Sequence, residues 1–116
     1  MSKKKICFDL DGVICTNTFG DYEKAEPIPE AIKKINQLFD NGYYIMIFTS
    51  RFMQLYNEDI KKINSTGYDF TKNQLDMWGL KYHKLLMCKP DYDIFIDDKA
   101  YNFSPSWPEN LDKIIQ

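Results

Sequence analysis

The chain has 116 residues, of which 44% are hydrophobic and 16% aromatic, with a net charge of −2. This length and apolar content predict one folded domain and argue against intrinsic disorder. No apolar run reaches the ~20 residues of a membrane span, and the acidic balance argues against a nucleic-acid partner. The cysteines are odd in number and lack metal-site spacing, which favours a reducing cytoplasm.

The predicted first strand runs from about Lys4 to Asp9, and the carboxylates Asp9 and Asp11 mark its end, just before Gly12. Residues two apart in a strand point to the same side. Two carboxylates held that close repel each other unless a cation or a proton compensates. The pair therefore indicates a Mg²⁺ site in which one carboxylate is available to attack an electrophile. A surface turn is the alternative interpretation of this Asp-Leu-Asp-Gly tetrapeptide.

The next elements alternate between a loop, a helix and a strand. Residues 13–27 have no clear periodicity and are predicted to form a loop or a short β-flap. Pro29 is suited to the first turn of a helix, which apolar positions at helical spacing extend to Asn41-Gly42. Residues 43–48 are predicted to form the second strand.

Two further helices are predicted after this strand. The first has apolar residues on one face from Phe52 onward and ends near Gly67. Thr71 and Gln74 have the spacing of a capping box, which predicts a short helix through Trp78.

The last part of the chain supplies two more predicted strands and a closing helix. The strands are predicted at residues 84–88 and 92–96, and the helix at residues 107–115. Apolar strands that alternate with amphipathic helices are typical of βαβ units. The pattern therefore predicts a three-layer α/β/α, Rossmann-like domain with a parallel sheet.

Polar side chains follow every predicted strand. These groups are Asp9 with Asp11, then Thr49-Ser50-Arg51, then Lys89, and finally Asp97-Asp98. Because the carboxyl ends of parallel strands meet at one edge of a sheet, we expect all four groups to form one site. Arg51 is expected to bind substrate there. Lys84 competes with Lys89 for the third position, but Lys84 opens its strand whereas Lys89 follows it.

Four short motifs resemble those of the haloacid dehalogenase (HAD) superfamily in order and spacing. They are Phe8-Asp9-Leu10-Asp11-Gly12-Val13, Thr49 after an apolar strand, Lys89-Pro90, and Ile96-Asp97-Asp98. The stretch from Trp78 to Ala100 also resembles small HAD phosphatases that are associated with bacterial surface-polysaccharide genes. The resemblance covers nearly the whole chain.

This resemblance implies a role for each motif. Asp9 would be the nucleophile that forms an aspartyl-phosphate, and Asp11 would act as general acid and then general base. Thr49 would bind the phosphoryl group through its hydroxyl and backbone N–H, with Ser50 beside it. Lys89 would neutralise charge on the nucleophile and on the transferring group.

The implied cofactor is Mg²⁺, a hard cation that prefers oxygen ligands. Its ligands would come from Asp9, Asp11, Asp97 and Asp98, and the sequence leaves open which of the last two binds directly. The intervals between motifs leave no room for a cap domain, so the site would be open. The site would then be covered either by residues 13–27 or by a neighbouring subunit of a homo-oligomer.

The function implied is hydrolysis of a small-molecule phosphate ester, with a sugar phosphate of surface-polysaccharide biosynthesis as the suggested substrate and no membrane partner. One alternative is a phospho-accepting receiver domain. In that class, however, the adjacent acidic pair ends the first strand, whereas here it comes last. A nucleotide or nucleic-acid-end phosphatase is a further alternative.

Overall fold

The computed structural model describes residues 4–115, and a parallel three-stranded sheet forms its centre. The strands are β1 (Lys5–Phe8), β2 (Tyr44–Phe48) and β3 (Lys84–Leu86), in the order β1-β2-β3. In the parallel register Ile6 lies opposite Ile45, and Ile47 lies opposite Leu85. The predicted α/β architecture with a parallel sheet is confirmed, and the described chain has no cap domain.

Helix α1 (Pro29–Asp40) connects β1 to β2 and begins at the predicted proline. Its buried residues Ala31, Ile35 and Leu38 recur at helical spacing and join the hydrophobic core. The loop before α1 contains one 3₁₀ turn (Tyr22–Lys24). Within this loop the Thr16 N–H donates to the Glu26 carbonyl over 2.9 Å, which ties its two ends together.

One continuous helical run replaces the two helices predicted between β2 and β3. It consists of α2 (Ile60–Lys62), a π-helical segment (Ile63–Gly67) and α3 (Tyr68–Met77). The predicted capping box is wrong, because Thr71 lies inside the helix and its hydroxyl donates to the Gly67 carbonyl over 2.9 Å. The predicted break at Gly67 is wrong as well. A Cβ at Gly67 would lie 2.9 Å from the ring of Phe52, so this glycine allows a close packing contact.

The segment between Phe52 and Ile60 forms turns, where the sequence predicts helix. Phe52, Asn57 and Glu58 have φ values of 70°, 49° and 59°, and right-handed helix excludes such values. The turns set the Phe52 ring against Gly67 and against the Tyr22 ring, whose centroid lies 4.8 Å away.

The chain closes with α4 (Trp107–Asn110) and a 3₁₀ turn (Leu111–Lys113), shorter in regular helix than the predicted 107–115. The Trp107 ring packs against Phe8, with 5.2 Å between ring centroids. Lys34 of α1 forms an ion pair with Asp112 over 2.6 Å. The C-terminal residues therefore return to the core beside β1 and α1.

The fourth strand predicted at residues 92–96 is wrong for the described chain. Residues 91–103 contain no strand and every one of them is exposed. The side of β1 away from β2 has no strand partner among residues 4–115. The residue pattern of this segment favours a strand, but a strand needs a paired neighbour, and this segment does not pair with the free edge of β1.

The two faces of the sheet differ in burial. One face carries Phe8, Ile45, Ile47 and Leu85, all buried in the core. The opposite face, which we call the open face, carries Cys7, Met46, Phe48 and Leu86, and none of these four is buried. None of the described helices combines the length and apolar character needed to cross a membrane.

Candidate active site

The ends of the three strands bring Asp9, Thr49 and Lys89 to one edge of the sheet. The Lys89 backbone N–H donates to the Thr49 carbonyl over 3.1 Å. The Lys89 ammonium lies 3.9 Å from Oδ1 of Asp9, although the Lys89 side chain is only 11% exposed. A carboxylate and an ammonium thus face each other at the C-terminal edge of the sheet, where open α/β domains bind ligands.

Asp9 has the more accessible carboxylate of the first motif, with its side chain 40% exposed. Its Oδ1 accepts a hydrogen bond of 2.8 Å from the Leu10 backbone N–H. Burial raises the pKa of Asp9 above its usual value, while Lys89 and the Leu10 N–H act in the opposite direction. The Asp9 carboxylate therefore faces one cation, the Lys89 ammonium, and it remains open to solvent.

Asp11 is held from the other side by Arg51. The Arg51 Nε donates to both carboxylate oxygens, over 3.1 and 2.9 Å, and Nη2 donates to Oδ1 over 2.9 Å. The Arg51 residue is 1% exposed. This forked geometry fixes the plane of the Asp11 carboxylate.

The remaining donors of Arg51 also bind protein groups. Its Nη1 donates to Oε1 of Gln74 over 2.6 Å, and its guanidinium stands 4.7 Å from the centroid of the Tyr22 ring. Gln74 in turn donates to the Tyr22 carbonyl over 2.8 Å. Arg51 was predicted to bind substrate, and the structure places it instead beneath Asp11 in a buried network.

Sequence reasoning missed Gln74 and Tyr22 as members of this network. Gln74 was assigned to a helix cap, and Tyr22 was one aromatic residue in a loop without periodicity. The order of the predicted strands held one usable signal, because Asp11 and Arg51 follow neighbouring parallel strands. Opposite charges at adjacent strand ends predict an ion pair.

Cys15 completes the surroundings of Asp11. Its Sγ is 3.5 Å from Oδ1 of Asp11 and 3.6 Å from Nη2 of Arg51. Burial, together with the nearby Asp11 carboxylate, raises the pKa of Cys15 to about 12. The thiol is therefore neutral at physiological pH and acts as a weak donor to Asp11 rather than as a nucleophile.

Thr49 and Ser50 lie at the same edge, with their polar groups already bonded to the chain. The Thr49 N–H donates to the Leu86 carbonyl over 3.0 Å, so the prediction that this N–H binds a phosphoryl group is wrong. The Thr49 Oγ1 accepts the Arg51 N–H over 3.1 Å, and the Ser50 hydroxyl donates to the Pro90 carbonyl over 3.0 Å. These bonds fix the turn that carries Arg51.

The two candidate lysines occupy different places. Lys84 is exposed at the start of β3, opposite Met46 in the register, whereas Lys89 lies beyond the end of β3 beside Asp9. The Lys89 ammonium also stands over the rings of Tyr92 and Phe95, 5.3 and 5.2 Å from their centroids. The geometry favours Lys89 for the third motif.

Asp97 and Asp98 are the predicted site residues that the described chain does not bring to Asp9. Both are exposed, and Oδ1 of Asp97 accepts a hydrogen bond of 2.8 Å from the Lys99 N–H. Residues 4–115 contain no group of three or more histidine, cysteine or acidic side chains that could hold a metal ion. Carboxylate oxygens suit Mg²⁺ chemically, but the donor set within one chain does not fit the ion.

Comparison with known proteins identifies the fold. No protein-family model and no curated protein sequence matches the chain. A solved structure of a Vibrio cholerae structural-genomics target matches with a TM-score of 0.77 and 26% identity over 95% of this chain and 97% of that one. The D,D-heptose 1,7-bisphosphate phosphatase from B. bronchiseptica, solved with magnesium and phosphate, matches with a TM-score of 0.52 and 19% identity over 73% of this chain and 49% of that one.

These matches confirm the resemblance to the HAD superfamily at the level of the fold. Residues 4–115 have a HAD-like α/β fold, and this part of the chain contains no cap domain. The V. cholerae match spans almost the whole of both chains, so the likeness is not confined to a common sheet core.

Proposed function

We propose that the chain is a phosphomonoester hydrolase that works through an aspartyl-phosphate on Asp9. The observation that carries this proposal is the pair formed by the accessible Asp9 carboxylate and the Lys89 ammonium, 3.9 Å apart at the C-terminal edge of the sheet. A phosphate ester brings negative charge to that edge. Phosphoryl transfer depends chiefly on positioning and on charge stabilisation, which a lysine beside the nucleophile supplies.

The proposed reaction has two displacements at phosphorus. In the first, Asp11 has taken up a proton as substrate binds; an Asp9 oxygen forms a bond to phosphorus while the ester P–O bond breaks, and Asp11 passes its proton to the leaving oxygen. In the second, Asp11 takes a proton from water, the water oxygen bonds to phosphorus, and the bond to Asp9 breaks. Inorganic phosphate and an alcohol are the products, and Asp9 and Asp11 return to their starting states.

Arg51 acts on this reaction through Asp11 and not by touching substrate. Its three hydrogen bonds hold the Asp11 carboxylate in one orientation, and its own burial leaves no surface for a ligand. A general acid must keep a defined position relative to the leaving oxygen, because small displacements are costly in rate. We therefore assign Arg51 as a positioning residue. Ser50 is partly exposed and is the proposed polar contact to the phosphoryl group, whereas Thr49 is as buried as Arg51 and supports the turn between them.

Mg²⁺ is the proposed cofactor, and the magnesium in the heptose bisphosphate phosphatase structure supports this choice. Asp9 and Asp11 would supply only part of its ligands within one chain. The proposed substrate is a small phosphate ester, with a sugar phosphate first among candidates because that neighbour is a sugar phosphatase by name.

The three cysteines, Cys7, Cys15 and Cys88, form no disulfide, and this supports a cytoplasmic location. Residues 13–27 are the proposed flap beside the site.

The experiment that tests the covalent step is acid-quench trapping with a ³²P-labelled substrate. We expect label on the wild-type protein at early times, lost again within the turnover time, and no label on Asp9→Asn. Label that persists long after substrate is exhausted would identify a receiver domain. Turnover without any trapped label, together with full activity in Asp9→Asn, would contradict the proposal.

A further inference from the structure

The residues that follow Lys89 form an apolar segment that packs poorly in one chain. We call residues 91–98 the arm. Ile94, Phe95 and Ile96 in the arm are 77%, 50% and 92% exposed. Burial of apolar side chains stabilises a folded protein. In one chain Ile94 and Ile96 contribute little of this stabilisation, and Phe95 is only half-buried.

The surface that the arm fits is the unpaired edge of β1. Among the described residues no strand pairs with this edge, so its backbone N–H and C=O groups form a template for another strand. Beside it lies the open face, with Cys7 exposed and Met46 half-buried. The arm has the alternation of a strand, and strand addition to a free edge is a common mode of recognition.

Charge complementarity fixes one alignment of the arm on β1. Lys4 and Lys5 begin the β1 segment, and the arm begins with Asp91 and Asp93, all four exposed. Parallel pairing of Asp93 with Lys5 sets Phe95 opposite Cys7. In the same register Ile94 and Ile96 fall opposite Ile6 and Phe8, on the face that is already apolar. A slip by one residue would turn the isoleucines to the other face.

The arm does not reach this edge within its own chain. Its first aromatic residues, Tyr92 and Phe95, contact each other with 5.1 Å between ring centroids, and both rings lie beside the Lys89 ammonium. The chain then returns to the core at Trp107, which packs on Phe8. Both ends of the segment are thus fixed while its middle projects into solvent.

The total exposed area agrees with a missing partner. The accessible surface is 7739 Å², whereas a folded monomer of this mass has about 6,600 Å². The excess of about 1,100 Å² exceeds the ~800 Å² that each partner buries in a standard interface.

We propose that two copies of the chain exchange arms, each arm adding a fourth parallel strand to β1 of the other copy. The interface is isologous, because each copy carries both the edge and the arm. In the register above, Asp97 of one copy falls opposite Asp9 of the other, with Asp98 next to it. Each site would then receive its acidic pair from the partner, a consequence that rests on the proposed function. The exchange accounts for the incomplete donor set within one chain.

A disulfide test of the exchange uses the natural Cys7. Paired strands lie about 4.8 Å apart, within the Cα separation that a disulfide spans. Phe95→Cys should therefore form a disulfide-linked dimer under mild oxidation. Cys7→Ser/Phe95→Cys, and Met77→Cys at an exposed position of α3, should form none. A disulfide within one chain, or no disulfide to Cys7 at all, would overturn the exchange.

The oligomeric state of the protein gives a second test, which does not depend on catalytic activity. Sedimentation velocity should show a dimer for the wild type and a monomer for Ile96→Asp. Because Ile96 is 92% exposed in one chain, this change leaves the monomer fold intact. Met77→Asp, at a residue 76% exposed on α3, is the matched control and should remain dimeric. A monomeric wild type would overturn the proposal.

Subunit mixing tests whether the acidic pair is supplied by the partner. Asp9→Asn and Asp97→Asn/Asp98→Asn should each be inactive alone. A mixed dimer contains one complete site, so mixing equal amounts should restore roughly a quarter of wild-type activity. No recovery, with the disulfide dimer formed, would show that arms exchange but that the acidic pair does not serve the partner's site. An inactive wild type would count against the proposed function and leave the disulfide result standing.

Discussion

Arg51 and Asp11 form an ion pair in which the cation is buried and the anion lies at the site. Three hydrogen bonds of 2.9–3.1 Å join the guanidinium to the carboxylate. The side chain of Arg51 is 0% exposed and that of Asp11 is 17% exposed. The pair therefore links the fold's interior to the group that we assign to proton transfer.

Removal of Arg51 should destabilise the fold by leaving Asp11 as an uncompensated, largely buried charge. We expect Arg51→Met to lower the free energy of unfolding by about 3–5 kcal/mol. Arg51→Met/Asp11→Asn should be less destabilised than the sum of the two single changes, because neither charge remains. Urea denaturation of the wild type, the two single variants Arg51→Met and Asp11→Asn, and the double variant measures this coupling. Strict additivity of the two changes in the free energy of unfolding would contradict a direct ion pair.

A conservative change at Arg51 separates its effect on rate from its effect on binding. Arg51→Lys keeps the charge but loses the forked contact with Asp11, so we expect kcat to fall about 10- to 100-fold. KM should stay within about twofold, because Arg51 is buried beneath Asp11 and does not touch substrate. A large rise in KM with kcat unchanged would show instead that Arg51 binds substrate.

Alanine substitution at Lys89 and at Lys84 tests which of the two lysines stabilises the transferring phosphoryl group. Lys89→Ala should lower kcat about 10²- to 10³-fold, as expected for loss of one group that stabilises the transition state. Lys84→Ala is the matched control, since Lys84 is an exposed lysine at the start of β3, the strand that Lys89 follows. The Lys84→Ala variant should have wild-type kinetics. A larger loss of kcat in Lys84→Ala than in Lys89→Ala, measured by steady-state assays, would contradict the choice of Lys89.

Asp9→Asn should remove activity without loss of stability. Burial raises the pKa of Asp9 in the folded state, so the folded protein holds this proton more tightly than the unfolded chain does. The contribution of Asp9 to the free energy of unfolding therefore falls as pH rises from the unfolded-state pKa to the folded-state pKa, and it stays unfavourable at neutral pH. Asn is neutral, so Tm at pH 7 should equal or exceed that of the wild type. A clear drop in Tm would show that the Lys89 contact dominates instead.

Gly67→Ala tests the single helical run. Alanine favours helix by about 1 kcal/mol over glycine. Its Cβ, however, would lie 2.9 Å from the ring of Phe52, which is itself buried. Overpacking of this kind costs about 1–3 kcal/mol, so we expect net destabilisation. Phe52→Leu/Gly67→Ala should recover part of it, and stabilisation by Gly67→Ala alone would contradict the close contact between residue 67 and the Phe52 ring.

Local patterns in the sequence were sufficient for the sheet and for α1. Runs of apolar residues predict the strands β1, β2 and β3. The restricted φ of Pro29 predicts the start of α1. Both signals depend only on residues that are close in sequence. Gly67 is different, because its place inside a helix depends on Phe52, which is distant in sequence. The arm is different too, since residues 92–96 have the composition of a strand but do not pair with the free edge of β1 in their own chain.

The site was predictable where it depends on strand order. Asp9 and Lys89 were expected to meet because parallel strands end at one edge, and the structure brings them within 3.9 Å. The burial of Arg51 was not predictable from its position after β2. It depends on Gln74 and Tyr22, whose contacts arise from the helical run and from the loop before α1.

Phosphate release from a panel of substrates shows whether the protein is a phosphatase that uses Asp9. Purified wild-type protein and Asp9→Asn would be assayed on sugar phosphates, nucleotides and an aryl phosphate, each with Mg²⁺ and with EDTA. We predict release by the wild type with Mg²⁺, strongest on a sugar phosphate, and background release with EDTA or with Asp9→Asn. Equal release by wild type and Asp9→Asn, or no release by folded wild-type protein from any substrate, would contradict a phosphatase that uses Asp9.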